Sequence, residues 1–229
     1  MTAQLRLPGI EACVFDAYGT LFDVSSAARS LQDELGPRWQ PLAELWRTKQ
    51  LQYTWLRGLG GRHADFRKVT ADALDFALDA LKIDDATLPP RLMTLYSSLD
   101  AYPDVADALR RLKAGGRRLA ILSNGTPDML ASAVSHSGIA DLLDHVLSVE
   151  EVGVFKPHPF VYRLAANRLR LAPDRICFVS SNGWDACAAK AFGFRVVWCN
   201  RFGQPPERIP ETPDGEITTL AVLPDIVLD

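Results

Sequence analysis

Cysteine is scarce and scattered. Cys13, Cys177, Cys187 and Cys199 form no CxxC pair, and three of the four lie in apolar, strand-like runs. They read as reduced core thiols of a cytosolic protein, with no disulfide framework in view. Histidine is sparse as well. His63, His136, His145 and His158 do not cluster, so none is assigned a catalytic role, and the Lys-Pro-His-Pro run is a loop entering a helix, with no metal site in it. No apolar run approaches the roughly 20 residues of a membrane span. The opening "MTAQLRLPG" contains no signal-peptide apolar stretch, so a cytoplasmic location is expected. With a net charge of −3 there is no electrostatic case for nucleic acid or an anionic membrane surface. Repeats and low-complexity segments are also missing.

What is present is ordinary in composition and ordered in pattern. The 229 residues suffice for one large domain or for a core with an insertion, and 48% hydrophobic with 23% charged residues is typical of a globular chain. Short apolar runs read as strands at Glu11–Phe15, Arg118–Leu122, Ile176–Val179 and Arg195–Cys199, with "HVLSV" around Val146 as a weaker fifth. Helical spacing falls between them, over Asp104–Ala114, Pro127–Ser137, Pro157–Leu169 and Trp184–Phe192. Such alternation predicts an α/β fold: a doubly wound, Rossmann-like parallel sheet with helices on both faces.

One region breaks the alternation. From Val24 to Leu99 only helical patterns occur, including "LAELWRTKQLQYTWLR" and "ADFRKVTADALDFALDAL", where Trp46 and Trp55 read as packing residues. The stretch is too long for a crossover. It is expected to be a helical cap, residues 23–101, inserted after the first strand of a core made of residues 1–22 and 102–229. Its position is the carboxyl end of a strand, where open parallel sheets bind ligands.

Polar residues follow the strand-like runs with a common logic. The first ends in Asp16, with Thr20 behind it; the second in Ser123-Asn124; the weak one is followed by "GVFKPHP" with Lys156; the fourth set is "SSNGWD", with Ser180, Ser181, Asn182 and Asp185. Each set alone would pass as turn formers and helix caps. In a doubly wound sheet all four converge on one crevice.

The order Asp-x-x-x-Thr, Ser-Asn, Lys-Pro and a last acid resembles the haloacid dehalogenase superfamily, most of whose members are phosphatases. Two departures from the phosphatase pattern stand out. Tyr18 occupies the place of the acid that protonates a leaving oxygen, and Ser181 replaces one of the acids that hold Mg²⁺. Asp16, Asp185 and Lys156 together make a poor site for a hard divalent ion. "DAYGTLFD", "LWRTKQLQYTWLR", "LSNG", "FKPHPFVY" and "FVSSNGWDACAAKAFGF" instead resemble the L-2-haloacid dehalogenases of type II.

That resemblance implies a reaction and a site. The reaction is hydrolysis of an (S)-2-haloacid to the (R)-2-hydroxy acid and halide, through an aspartyl ester, with inversion at C2 and no cofactor or metal. Asp16 is the nucleophile. Halide needs no proton on leaving, so no second acid is required and Tyr18 serves as pocket wall. Lys156 keeps Asp16 ionised. Asp185, assisted by Ser180 and Asn182, orients and deprotonates the hydrolytic water. Arg47, Asn124 and Trp184 cradle the halide, arginine suiting a large, weakly hydrated anion. Ser123 and backbone N–H groups near Tyr18 and Asn124 receive the substrate carboxylate. Thr20 and Tyr162 support by hydrogen bonds, and Leu51, Phe66 and Trp184 wall the substrate side chain. A homodimer is the family's expectation. Two other readings compete: a Mg²⁺-dependent phosphatase of a small ester, disfavoured by Tyr18 and Ser181, and a non-catalytic carboxylate-binding relative, disfavoured by the complete set Asp16, Arg47, Lys156, Asn182 and Asp185.

Overall fold

The computed structural model describes residues 5–228; Met1–Gln4, the start of the stretch read for a leader, and Asp229 lie outside the described residues. Six strands form one wholly parallel sheet: β1 (Ala12–Phe15), β2 (Arg118–Ser123), β3 (His145–Ser148), β4 (Ile176–Ser180), β5 (Arg195–Cys199) and β6 (Gly215–Ile217), in the order β3-β2-β1-β4-β5-β6. β1 and β4 are buried along their whole length, as expected of central strands covered on both faces. Val14 stands level with Ala120 of β2 and Phe178 of β4. The chain winds outward from β1 to β3, then returns to β4 on the other side. The switch point between β1 and β4 opens a crevice at the carboxyl ends of the strands.

The core helices are α6 (Val105–Ala114), α7 (Pro127–His136), α8 (Pro159–Leu169), α9 (Gly183–Phe192) and α10 (Leu223–Val227). Thr126 caps α7 by accepting from the Met129 amide, and Gly193, in the left-handed region at φ 110°, ends α9. Two expectations shift. α8 begins at Pro159, not Pro157, because His158 stays extended and its side chain accepts from the Phe160 amide as the cap. β6 and α10 were not anticipated. β6 has three residues, too few to show a period, and exists by pairing with the edge of β5.

Between β1 and α6 the chain is helical: α1 (Ser26–Arg29), α2 (Gln32–Leu35), α3 (Trp39–Leu59), α4 (Phe66–Ala80) and α5 (Leu88–Tyr96), with α3 packed along α4. The segment leaves and re-enters the core side by side. The Tyr102 amide donates to the Leu21 carbonyl at 3.0 Å, and the Asp23 amide to that of Asp100 at 2.8 Å. A second tie lies across the crevice, where Glu150, beyond β3, accepts from the Phe66 amide at the start of α4 and pairs with His63. The helices therefore sit over the switch point.

Candidate active site

The backbone after β1 sets the first side chain. Asp16 still follows sheet geometry, its amide donating to the Val179 carbonyl of β4. The chain then turns tightly at Gly19, whose φ of 93° is a conformation that residues with a Cβ rarely adopt. The turn brings Thr20 back beneath Asp16, and its hydroxyl donates to Asp16 Oδ2 at 3.1 Å while accepting from the Ser181 amide. The Asn182 amide group donates to the same oxygen at 2.8 Å. Lys156 Nζ donates to Asp16 Oδ1 at 2.9 Å. Asp16 is 6% exposed, so this carboxylate is nearly dry and fully engaged.

Lys156 is shared. Its ammonium also donates to Asp185 Oδ2 at 2.8 Å, and Tyr162 Oη donates to Asp185 Oδ1 at 2.7 Å. Burial pulls the lysine pKa down, but the two carboxylates outweigh it and hold the ammonium above its ordinary value. Burial raises the Asp185 pKa, only partly countered by Lys156, with Asp16 pushing further up. Tyr162 is held well above its ordinary value by burial and by the Asp185 charge, so it remains a donor. One cation thus serves two buried carboxylates.

The helical segment contributes Arg47, from α3. Its Nη2 donates to the Tyr18 carbonyl at 3.1 Å and to Asn182 Oδ1 at 3.3 Å, and its Nη1 to Gln50 Oε1 at 2.8 Å. Asn182 therefore links the guanidinium to Asp16. Gln50 is buried and tied in turn to Thr70 and Tyr96. No motif in the sequence marks Gln50, Thr70 and Tyr96, although Gln50, three residues beyond Arg47, faces the same way on a helix.

The space these groups enclose is small, about 10 Å³, room for roughly one water. Its walls are Asp16, Tyr18, Arg47, Leu51, Phe66, Ser123, Asn124, Lys156, Asn182 and Trp184. Asn124 Oδ1 accepts from the Lys156 amide at 3.0 Å, which fixes the side chain in the cavity wall. Tyr18 stacks on Tyr96, with centroids 5.5 Å apart, and leans on Gly125, where a Cβ would lie 2.7 Å from its ring. It is a neutral wall: burial raises its pKa well above the ordinary value, so the phenol keeps its proton.

The chain matches the family model "haloacid dehalogenase-like hydrolase" over residues 10–193. It is 44% identical over 220 residues to (S)-2-haloacid dehalogenase 1 of Pseudomonas sp. (strain CBS-3), covering 96% of this chain and 97% of that protein. It is 47% identical over 199 residues to (S)-2-haloacid dehalogenase 4A of Burkholderia cepacia, covering 86% of each. The chain belongs to the haloacid dehalogenase-like hydrolases, among the (S)-2-haloacid dehalogenases. A solved structure of L-2-haloacid dehalogenase from Xanthobacter autotrophicus with chloropropionic acid covalently bound matches with a TM-score of 0.88 at 39% identity, over 94% of this chain and 97% of that one.

Set against the expectations for such a dehalogenase, ten of the predicted residues line the cavity. Three others, Thr20, Tyr162 and Asp185, stand behind it and reach it through Asp16 and Lys156. Ser180 is placed differently from the role expected of it. Its hydroxyl accepts from the Asn182 amide at 3.1 Å, a local turn bond that shapes the loop after β4, and its side chain is not among the hydrogen-bond partners of Asp16 or Asp185. The Ser123 hydroxyl likewise accepts from the Gly125 amide, yet Ser123 lines the cavity. The four histidines lie outside the cavity walls.

Proposed function

We propose that this chain releases halide from (S)-2-haloalkanoic acids in two steps, with Asp16 as nucleophile. A carboxylate oxygen of Asp16 bonds to C2 from the face opposite the halogen; the carbon–halogen bond breaks and halide leaves with the electron pair. Water then attacks the Asp16 carbonyl carbon, and the acyl–oxygen bond breaks. The product is the (R)-2-hydroxy acid, with the enzyme carboxylate restored. Asp185 takes the proton from water, its base strength supported by the burial that raises its pKa. Arg47, Asn124 and Trp184 receive the halide, and Ser123 with nearby N–H groups the carboxylate. The observation that carries this reading is Asp16 at the end of β1, held by Lys156, Thr20 and Asn182, with an aromatic wall at Tyr18 where a phosphatase would place an acid. Residues 23–101 act as the cap that selects substrate. The working form is a cytoplasmic homodimer that uses neither cofactor nor metal, its mass measurable by sedimentation.

The decisive experiment is a single turnover of L-2-chloropropionate in H₂¹⁸O. The label is expected in the Asp16 carboxylate, not in the product. An Asp185→Asn variant is expected to trap the ester on the Asp16 peptide, seen by mass spectrometry. Label in first-turnover product, without an adduct in the variant, would falsify the nucleophile assignment.

A further inference from the structure

Beside the catalytic cavity runs a larger groove, of about 610 Å³. Lys156 and Trp184 line both spaces, so the groove and the cavity adjoin at these two side chains. Its two long walls are helices. On α3, Leu51 faces the cavity, and Trp55 and Gly58, four and seven residues on, face the groove. On α9, Trp184 faces both, and Ala188 and Ala191 carry the same stripe outward. Both sets follow the one-face spacing of a helix, so one seam leads from Asp16's cavity to the surface. Trp55 and Trp184 meet edge-on at its inner end, centroids 5.3 Å apart. Gly58, Ala188 and Ala191 are the small residues that leave the outer part open.

The chemistry of the walls is selective. Phe155, Pro157 and Ile209 complete an apolar lining. The one fixed charge, Lys156, is committed to Asp16 and Asp185. The Thr54 hydroxyl donates to the Leu51 carbonyl, and His158 Nδ1 accepts within its own cap. Trp55 Nε1 is a buried donor without a partner, but the rest of the lining is mainly apolar, and the small cavity next door could not also take a long alkyl chain. We propose that the groove is a chain subsite: it takes the alkyl tail, from about C4 outward, of a straight-chain 2-haloalkanoic acid whose carboxylate and halogen sit in the cavity. The inference rests on the function proposed above. Seven residues of α9 separate Trp184 from Ala191, roughly 10 Å at 1.5 Å per residue, enough for several methylenes.

The test measures kcat/KM for halide release by the full chain from (S)-2-bromopropionate, -butyrate, -hexanoate and -octanoate. Values are expected to climb about threefold per methylene as far as hexanoate, the gain of burying each CH₂. Gly58→Phe fills the groove from α3; a Cβ there meets nothing within 4 Å, so the backbone accepts it. Ala191→Phe fills it from α9, so the result does not hang on one variant's folding. In each, the hexanoate-to-propionate ratio is expected to fall at least tenfold. A flat or falling wild-type profile alongside active 2-bromopropionate overturns the subsite alone. So does an unchanged ratio in both variants. A changed sedimentation mass with an unchanged ratio gives the groove to a second copy of the chain and equally overturns it. No halide from any substrate overturns the proposed reaction and the subsite together.

Discussion

The core and the helical segment hold their site residues by opposite means. In the core, Lys156 lies between Asp16 and Asp185, at 2.9 and 2.8 Å, all three nearly or wholly excluded from solvent. Each charge there depends on the others, since an unpaired buried charge is very costly. On the helical side, Arg47 is held by neutral acceptors: Gln50, the Tyr18 carbonyl and Asn182. Its five N–H groups outnumber those partners, so donors remain for an anion. Under the proposed mechanism the contrast separates two tasks. The carboxylate proposed to react sits where sheet register fixes it. The proposed anion recognition sits on a helix that can change without unbalancing the charges below.

Breaking the core side is expected to cost most. Lys156→Met leaves two buried carboxylates without their cation. A loss of at least a thousandfold in kcat is expected, about 4 kcal/mol of transition-state stabilisation, together with roughly 3–5 kcal/mol of folding stability. Rate assays and denaturant unfolding read both. Because the folded lysine pKa is raised, its stabilisation is complete below the unfolded lysine value and fades as pH rises through the folded one. The variant should lack that alkaline limb.

On the other side of the comparison, Arg47→Lys keeps the charge and loses the planar fork. The expected drop in kcat/KM is at least tenfold, about 1.4 kcal/mol. Near-normal turnover would mean that charge alone suffices and that the geometry around Arg47 is incidental. Gln50→Leu probes the support behind it. Removing the amide takes from the buried Tyr96 and Thr70 hydroxyls their Gln50 partner and frees Nη1 of Arg47, so a stability loss of roughly 1–3 kcal/mol is expected. Turnover should fall less than in Arg47→Lys, with the effect larger in KM than in kcat.

Smaller effects sharpen the assignment of Asp185. The Tyr162 hydrogen bond favours ionised Asp185, so Tyr162→Phe should raise the Asp185 pKa further. The acid limb of the kcat profile should move to higher pH, with a plateau within roughly threefold of the parent. An acid limb that stays in place would detach Asp185 from the proton-taking step. Smallest of all is chelation. EDTA should leave halide release unchanged, and strong stimulation by Mg²⁺ would return the phosphatase reading to contention.

Legibility followed the same divide. Asp16, Thr20, Lys156, Asn182 and Asp185 stand out because strand ends announce themselves: an apolar run stops and a polar residue follows. Arg47 emerged only from the surrounding motif, since a lone arginine on an amphipathic helix has no distinguishing spacing. Gln50, Thr70 and Tyr96 stayed hidden for a related reason. Neutral hydrogen-bonding side chains on three different helices, α3, α4 and α5, share no local pattern, and burial alone joins them. Ser180 is ambiguous in sequence, because a serine at a strand end looks alike whether it faces the ligand or, as its bond from the Asn182 amide shows, serves its own turn.

By itself, the sequence determined the alternation of strand and helix, the break in it from Val24 to Leu99, and the chemical types gathered at the strand ends. Those follow from local periodicity and from the needs of turns and caps, which adjacent residues carry. Tertiary structure alone decided that one lysine spans two carboxylates, that Asn182 joins Arg47 to Asp16, and that a small cavity adjoins an apolar groove at Trp184. Each depends on side chains tens to more than a hundred residues apart meeting within a few ångströms, as Lys156 meets Asp16 across 140 positions of chain. Sheet register and helix packing set such meetings, and no local stretch of sequence encodes them.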